Sequence, residues 1–382
     1  IVGKGENGSF DKAADQAANP APAPPVTGSI NRIAVLGLGK VGTLAATLLQ
    51  ETGFDVTGID DRELRNERPF TVARKSVADE RAAEEALAGF DAVLSCLPYH
   101  LNTGVATAAH RLGLHYFDLT EDVTTTQAIR EMSETSRAVM APQCGLAPGL
   151  IAIVGAHLAD DFDRIRSIRL RVGALPQHPT GLLGYAFNWS PEGVVNEYLN
   201  DCEVIEEGEH KWVSPMEWIE KIYVNGMLLE AFTTSGGLGT MCETYLGRVE
   251  NLDYKSMRYP GHVELMNFFF HELLMREQRD LAGEILTVAK PPVDDDVVHL
   301  HVSAEGDIDG RLQRREFVRS YYPRDIAGVA RTAIAWTTSA SACAVIEMVS
   351  GGALPATGFI KQEDIPFDKF AATRHGAIFV EA

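Results

Sequence analysis

The sequence predicts an α/β fold built on a doubly wound parallel sheet, with a second, α+β domain inserted before a C-terminal helix. Three observations predict it. A buried apolar run breaks into glycines at residues 32–42 (RIAVLGLGKVG), strand and helix patterns then alternate for about 110 residues, and longer alternating strands follow Gly149. With 382 residues and 45% hydrophobic content, the chain can bury the cores of two or three domains.

The glycine-rich turn predicts a dinucleotide site. Gly37, Gly39 and Gly42 stand at the G-x-G-x-x-G spacing. The first permits a tight turn, the second lets the backbone approach a pyrophosphate, and the third lets helix and strand pack closely. We expect the phosphates to lie at the start of the following helix, near Lys40 and Val41.

The second predicted strand (FDVTGIDD) ends at Asp60, at the distance from Gly42 that a Rossmann fold requires. There a carboxylate accepts hydrogen bonds from a ribose 2′-hydroxyl. Asp60 and Asp61 would also repel a 2′-phosphate, so we expect NAD rather than NADP. An inward-turned Arg62 would instead tolerate the phosphate.

Four more strands complete the predicted sheet, at residues 70–77, 91–98, 115–120 and 138–145, with helical patterns at 43–50, 79–89 and 102–113. In such a sheet the strand order reverses between the first and fourth strands, and ligands bind beyond that point. The fourth strand ends at Leu97, Pro98, Tyr99 and His100, so we expect these residues beside the nicotinamide.

Carboxylates follow the fifth predicted strand, at Asp118, Glu121 and Asp122. Near a cofactor they would serve as acid, base or ammonium ligand. Alternatively, Glu121 and Asp122 only favour the start of the next helix.

Cys144, after the sixth strand, is interpreted as a small buried residue and not as a nucleophile, because no base lies near it in sequence.

The second domain is predicted from strands at residues 165–175, 209–215, 297–306 and 311–322, with a hairpin turn at Asp309-Gly310. His299 and His301 share one strand face without a third ligand at suitable spacing, so we expect no metal. A helix from Asp325 to the glycines at 351–352 is predicted to return to the first domain, before a tail that ends in a strand.

These patterns divide the chain into four parts. They are a Pro/Ala-rich arm (1–30), the nucleotide-binding domain (31–149), a substrate and dimerisation domain (150–324), and a helix and tail that pack on the nucleotide-binding domain (325–382).

The overall charge and cysteine content narrow the partners and the compartment. A formal net charge of −19 disfavours nucleic acid and anionic lipid. The five cysteines are odd in number and show no C-x-x-C spacing, which indicates neither a disulfide framework nor a zinc ribbon. No membrane span or signal peptide is recognised, so we expect a cytoplasmic protein.

Two segments of the second domain carry a resemblance. Residues 187–198 (FNWSPEGVVNEY) and 256–262 (SMRYPGH) resemble the saccharopine dehydrogenase family, most closely its L-lysine 6-dehydrogenase branch. LPY after the fourth strand, YFDLTED after the fifth and CGLAPGL at the domain junction support the resemblance. Relatives that reduce saccharopine commonly have Asp-Pro-Gly at this junction, so Ala147 favours the lysine branch.

The resemblance implies a homodimeric, NAD-dependent oxidoreductase that acts on the side-chain amine of an amino acid. For lysine, the ε-carbon gives hydride to NAD⁺, the imine loses ammonia to water, and the resulting semialdehyde cyclises. Hydride transfer requires a neutral amine, so a residue must accept a proton. The candidates are Asp118, Glu121, Tyr99, His100 and His262.

An amino acid oxidised at its far end must be held at its near end. We therefore expect Arg258 to bind the α-carboxylate through its planar guanidinium, with Asp118 and Glu192 as further substrate contacts. The alternative is that Arg258 forms a structural ion pair.

Trp189 and Tyr259 are interpreted as packing residues. The glycines at 236–237 form either a loop over the substrate or an ordinary turn.

Two other functions remain open from the sequence. A saccharopine dehydrogenase or a polyamine-precursor relative would need a second cation for an additional carboxylate, which Arg248 or Lys255 would supply. A non-catalytic NAD-binding sensor would keep the fold without the chemistry.

Overall fold

The structure is a computed structural model that describes residues 30–64 and 68–381, so the predicted arm lies outside the described residues except for Ile30. The N-terminal domain alternates strands and helices. In chain order these are β1 (Arg32–Leu36), α1 (Lys40–Thr52), β2 (Asp55–Asp60), β3 (Thr71–Arg74), α2 (Glu80–Leu87), β4 (Ala92–Ser95), α3 (Tyr99–Leu112), β5 (His115–Asp118), α4 (Val123–Ser133) and β6 (Val139–Ala141).

These six strands pair in parallel in the order β6-β5-β4-β1-β2-β3. The order confirms the predicted doubly wound sheet, whose direction reverses between β1 and β4. The strands read as near-continuous apolar runs because helices cover both faces of such a sheet. The carboxyl ends of β1 and β4 therefore lie side by side, where this architecture places its ligand.

The second domain begins with a helix and continues as a mixed sheet. Its elements are α5 (Leu150–Ala159), β7 (Arg164–Pro176), α6 (Pro191–Leu199), β8 (Cys202–Glu206), β9 (Glu209–Val213), β10 (Glu220–Val224), β11 (Met227–Thr233), α7 (Met241–Tyr245), β12 (Val249–Arg258), α8 (His262–Asn267), a π-helix (Phe268–Glu272), a 3-10 turn (Met275–Glu277), α9 (Arg279–Ala289), β13 (Asp296–Ile308) and β14 (Arg311–Tyr321).

The main path of this sheet runs β10-β11-β12-β7-β13-β14, and β8 attaches β9 to β12. The long β13–β14 hairpin closes at Asp309 and Gly310, as predicted from the sequence. Both residues have positive φ, at 51° and 70°, which is the geometry of a two-residue type I′ turn.

The chain then returns to the first domain. The returning elements are β15 (Arg324–Ile326), β16 (Val329–Arg331), α10 (Ala333–Ser350), β17 (Gly358–Phe359), a 3-10 turn (Gln362–Asp364), α11 (Phe367–Ala371) and a second 3-10 turn (Ala377–Phe379). β17 pairs in parallel with β6 as a seventh strand. Ser339 Oγ on α10 donates to the Val41 carbonyl on α1 at 3.0 Å, so the predicted return of this helix is confirmed.

The helix starts later than the sequence predicts. Its first turn is at Ala333 rather than Asp325, because β15 and β16 form a small hairpin closed by Ala327 and Gly328, both at positive φ. The start is then capped from a distance. The Asp296 carboxylate accepts hydrogen bonds from the Ala333 and Ile334 amides at 2.6 and 2.9 Å. The predicted terminal strand is also wrong, since the tail ends in the second 3-10 turn.

By length and composition α10 would suit a membrane span, but 83% of it is buried inside the protein. Trp336, for example, packs against Tyr321 and Phe379. It is a core helix that packs with residues of the first domain and of the C-terminal tail in one hydrophobic core.

Candidate active site

The glycine turn between β1 and α1 has the shape that a pyrophosphate needs. Gly37 adopts φ +82°, and a Cβ on Gly42 would lie 2.0 Å from the Gly37 carbonyl oxygen, so both positions require glycine. No atom of the described residues outside the chain neighbours and the helix backbone lies within 4 Å of a Cβ built on Gly39. Gly39, with Lys40 and Val41, lines open space at the start of α1, and these residues therefore fit a dinucleotide phosphate.

Asp60, at the end of β2, already accepts hydrogen bonds from groups of the protein itself. Its carboxylate accepts hydrogen bonds from the Leu38 amide at 2.8 Å and from the Arg62 amide, Nε and Nη2 at 3.0, 2.8 and 2.9 Å. The hydrogen bond from Arg62 is the main reason that the pKa of Asp60 lies far below its usual value. A ribose hydroxyl would have to share or displace Arg62, while Asp61 beside it is exposed.

A cleft of about 550 Å³ runs from the glycine turn to the second domain. Leu97 and Tyr99, after β4, line it near the turn, whereas Pro98 and the exposed His100 do not. Trp189, Tyr254 and Ser256 line it from the second domain. The cleft thus joins the predicted nicotinamide edge of the first sheet to polar side chains of the second.

Asp118 is fully buried beneath the cleft and does not line it. Its carboxylate accepts hydrogen bonds from Tyr116 Oη at 2.7 Å and from the Thr120 and Gln143 amides at 3.0 and 2.9 Å. Burial raises the pKa of Asp118 to about 6, against the lowering effect of these bonds. Asp118 therefore links the loops after β5 and β6.

Of the acids that the structure describes in the first domain, Glu121 is the one that lines the cleft. Burial raises its pKa to about 7, and the nearby carboxylates of Asp122, Asp118 and Glu192 add to the effect. A Cβ on Gly236 would lie 2.7 Å from the Glu121 carbonyl oxygen, so that glycine lets the 235–239 loop close against it.

Arg258, the last residue of β12, lies on the opposite side of the cleft and is 3% exposed. Its Nε donates to Tyr198 Oη at 2.8 Å, and the guanidinium carbon lies 4.7 Å from the centre of the Tyr185 ring. Glu197 Oε2 lies 3.7 Å from its Nη2. The guanidinium is thus held in a fixed orientation with part of its donor set facing the cleft.

His262 lies behind this arginine and outside the cleft lining. It is fully buried, with Nδ1 3.0 Å from the Leu183 carbonyl and Nε2 2.9 Å from Tyr198 Oη. Burial, with the charge of Arg258, lowers its pKa to about 3, so the ring is neutral. His262 therefore donates from Nδ1 to Leu183 and accepts from Tyr198, whose oxygen accepts from Arg258.

Helix α6 brings a different glutamate from the one that the sequence singled out. Glu192, in its first turn, is exposed and outside the cleft lining, whereas Glu197 is buried and lines the cleft. Burial raises the pKa of Glu197 to about 8, opposed by Arg258 and reinforced by Glu121. Val194, Glu197 and Tyr198 stand at positions i, i+3 and i+4, so they share one face of the helix. That face is apolar apart from Glu197, and this pattern would have identified Glu197 as facing inward.

The fold and the site define an α/β nucleotide-binding protein with an inserted domain that closes a polar cleft over the nucleotide edge. A family model described as the saccharopine dehydrogenase C-terminal domain matches residues 145–374. A second, described as the saccharopine dehydrogenase NADP binding domain, matches residues 33–142. The chain therefore belongs to the saccharopine dehydrogenase family, and its first domain binds a nicotinamide nucleotide.

Individual relatives agree with this assignment. Saccharopine dehydrogenase (NADP⁺, L-glutamate-forming) from Saccharomyces cerevisiae is 28% identical over 147 residues, or 36% of this chain and 32% of that protein. Its namesake from Schizosaccharomyces pombe is 25% identical over 139 residues, or 35% of this chain and 31% of that protein. The matched segments span about a third of these two relatives.

A solved structure gives the broader likeness in fold. Apo histidine-tagged saccharopine dehydrogenase (L-Glu forming) from Saccharomyces cerevisiae superposes with a TM-score of 0.69 at 16% identity. The match covers 89% of this chain and 97% of that chain, so the two share both domains and their arrangement.

Proposed function

We propose that this chain is an NAD-dependent oxidoreductase that removes the side-chain amine of an amino acid, with L-lysine 6-dehydrogenase as its activity. One observation carries the proposal. Among the described residues, the cleft that starts at the glycine turn holds one buried guanidinium, Arg258, together with two carboxyl groups whose pKa values are raised, Glu121 and Glu197.

Arg258 suits the α-carboxylate of the substrate. Its orientation is fixed by Tyr198 and Tyr185, so little side-chain entropy remains to be lost when an anion binds. Holding one end of a long, flexible amino acid limits where the other end can lie, and this brings the amine to the part of the cleft that Glu121 lines.

Glu121 is the group that we assign to proton transfer. With a pKa of about 7 it is poised to accept a proton from the substrate ammonium near neutral pH, which leaves the neutral amine that oxidation requires. Bound NAD⁺ supplies the hydride acceptor for the carbon that bears this amine. Water then replaces the nitrogen, and the products are the semialdehyde and ammonium.

The charges of the cleft favour lysine over saccharopine, which has additional carboxylates. Among the described residues that line the cleft, the cationic side chains are Arg258 and, beside the glycine turn, Lys40. Lys255 Nζ instead donates to the Trp218 carbonyl at 2.6 Å, and Arg248 stacks on the Tyr245 ring. Neither supplies the second cation that saccharopine would need.

The preference for NAD is supported by the fixed, buried anion at Asp60, since a 2′-phosphate beside it would meet a carboxylate that stays ionised. The family model and both curated relatives name NADP. The choice between NAD and NADP therefore depends on Arg62. Its guanidinium forms an ion pair with Asp60 and so reduces the repulsion that a 2′-phosphate would meet there.

Steady-state assays of the purified protein test the proposal. With NAD⁺ and L-lysine, we expect reduced nicotinamide to appear together with ammonium in equal amounts, and kcat/KM to be lower with NADP⁺. Turnover of saccharopine but not lysine would assign the activity of the named relatives instead. NAD⁺ binding without turnover of either substrate would indicate a sensor.

A further inference from the structure

A second cavity, of about 340 Å³, lies behind the carboxyl groups of the cleft. Glu121 and Glu197 line both spaces, so the two cavities meet at this pair of acids. The remaining wall comes from the start of α4, the end of α6, the 235–236 backbone and Trp212 on β9. We name this space the side cavity.

The side cavity has the polarity of a cation site. Its described lining holds four acids and two side-chain amides but no lysine, arginine or histidine; these polar residues are Glu121, Asp122, Glu197, Asp201, Asn196 and Asn200. Trp212 adds an aromatic ring that is 54% exposed. The amide oxygens of Asn196 and Asn200 accept hydrogen bonds from Arg279 Nη1 at 3.0 and 2.8 Å, so the carboxylates and the aromatic face are the groups left to attract a small ammonium ion.

Glu197 supplies an independent sign that a ligand is missing. The residue is 7% exposed, and its Oε2 has no hydrogen-bond partner among the described residues. Arg258 Nη2, at 3.7 Å, is within ion-pair range but beyond hydrogen-bond distance. A buried carboxyl oxygen without a partner is costly, and a bound cation with N–H donors would satisfy it. Such a cation would also favour the ionised form of Glu197, which burial disfavours.

The wall of the side cavity is held in place by the backbone. The Ser235 amide donates to the Glu197 carbonyl at 3.0 Å, and Ser235 Oγ donates to the Asp201 carbonyl at 3.0 Å. Gly236 adopts φ +87°, which lets the loop lie against Glu121. The cavity is therefore a built feature of this loop and α6.

We propose that the side cavity binds and releases the ammonium ion formed in the reaction, so that nitrogen leaves by a route separate from the mouth of the cleft. This inference rests on the proposed function. In the hydrolytic step the iminium carbon gains the oxygen of one water molecule, and the C–N bond breaks with its electron pair going to nitrogen. Both water protons end on nitrogen, so R–CH=NH₂⁺ and H₂O give R–CHO and NH₄⁺.

The geometry gives this exit a chemical advantage. The iminium nitrogen forms beside Glu121, which also lines the side cavity, and the released cation meets the unpartnered oxygen of Glu197 next. Asp201 lies exposed at the solvent side and would draw the ion outward. Lysine, held at Arg258, would enter from the cleft on the other side of these acids.

A binding experiment with the free enzyme tests the site without relying on turnover. The probe is methylammonium chloride, with sodium chloride at equal ionic strength as the reference and tryptophan fluorescence as the signal. We expect a saturable change that Trp212→Phe abolishes. Asp201→Asn should weaken the binding by about threefold to fivefold, the size typical of an exposed ion pair. Glu209→Gln removes the same charge from β9 outside the cavity and should leave the binding unchanged.

Product inhibition then tests the exit during turnover. In Asp201→Asn the ratio of the ammonium inhibition constant to the lysine KM should rise, whereas Glu209→Gln keeps the wild-type ratio. Equal methylammonium binding in wild type and Asp201→Asn, or an unchanged ratio, would overturn the exit. If methylammonium binds as expected but lysine is not oxidised, the cation site stands and the proposed function fails. If lysine is oxidised and methylammonium gives no signal, the side-cavity inference alone fails.

Discussion

At the scale of single residues, the site depends on how burial and hydrogen bonding fix the charges of a few side chains. Arg258 is a charged group that is nearly removed from solvent, and it is held through Tyr198 by the neutral ring of His262. The sequence singled out Arg258 and His262 from one short segment. It could not reveal that the histidine acts on the arginine through a tyrosine 60 residues away in the chain.

Replacing Arg258 by lysine tests the carboxylate contact. Lysine keeps the charge but cannot offer two parallel donors, so kcat/KM for lysine should fall by about 30-fold to 1,000-fold, which corresponds to about 2 to 4 kcal/mol. NAD⁺ affinity should stay close to that of the wild type.

Tyr198→Phe is the matched control, because it removes the same Nε contact and leaves the guanidinium in place. We expect a smaller loss of kcat/KM and a lower melting temperature. If Arg258→Lys melts early while the folded fraction turns over normally, Arg258 is a structural residue and the carboxylate is held elsewhere.

The pKa of Glu121 predicts the pH dependence of catalysis. In the proposed mechanism the carboxylate form of Glu121 is the base, so kcat/KM should rise with pH and level off above about 7. Glu121→Gln should lower kcat by about 10²-fold to 10⁴-fold and remove that limb of the profile.

Asp122→Asn serves as the control for Glu121→Gln, because an asparagine oxygen can still accept from the Thr125 amide at the start of α4 and Glu121 is kept. The limb should persist in this control and move to lower pH, since the Asp122 carboxylate that helps to raise the pKa of Glu121 is removed. A limb that persists in Glu121→Gln would assign the proton to another group, with Glu197 as the next candidate.

At the scale of elements, two glycines of the glycine turn have different tasks: Gly39 leaves room for the nucleotide, and Gly42 lets α1 pack against the turn. The side of Gly39 faces open space and that of Gly42 faces the Gly37 carbonyl. Gly39→Ala should therefore fold normally and bind NAD⁺ more weakly, because its methyl group occupies only the space left for the pyrophosphate.

Gly42→Ala should instead lower the melting temperature, since its Cβ would overlap backbone at 2.0 Å. Calorimetry and nucleotide titration distinguish the two variants. A normal NAD⁺ affinity in Gly39→Ala would place the phosphates away from the turn.

The elements also show where sequence patterns are sufficient. The glycine spacing, the apolar strands and the Asp309-Gly310 turn are local signals, and each predicted the observed structure. The start of α10 is not local, because the cap comes from Asp296, which lies 37 residues earlier. Likewise, both Gly193 and Gly236 lie against Glu121 only once α6 and the 235–239 loop have packed onto it.

At the scale of the whole molecule, the active site exists because α10 and the tail bind the inserted domain back to the first sheet. Neither domain holds the site alone. The nucleotide edge and Glu121 come from the first domain, while Arg258 and Glu197 come from the second. The sequence indicated both halves. Which acids come together across the cleft follows from the contact of α6 and the 235–239 loop with Glu121, at Gly193 and Gly236, which no local pattern encodes.

The most direct test of this arrangement is a crystal structure of the enzyme with NADH and L-lysine, in which the reduced cofactor prevents turnover. We predict that the lysine α-carboxylate lies within hydrogen-bond distance of the Arg258 guanidinium and that the lysine Nζ lies beside Glu121. The nicotinamide should lie next to Leu97 and Tyr99. A lysine bound in the opposite direction, with its carboxylate at Lys40, or a nicotinamide outside the cleft, would contradict the account.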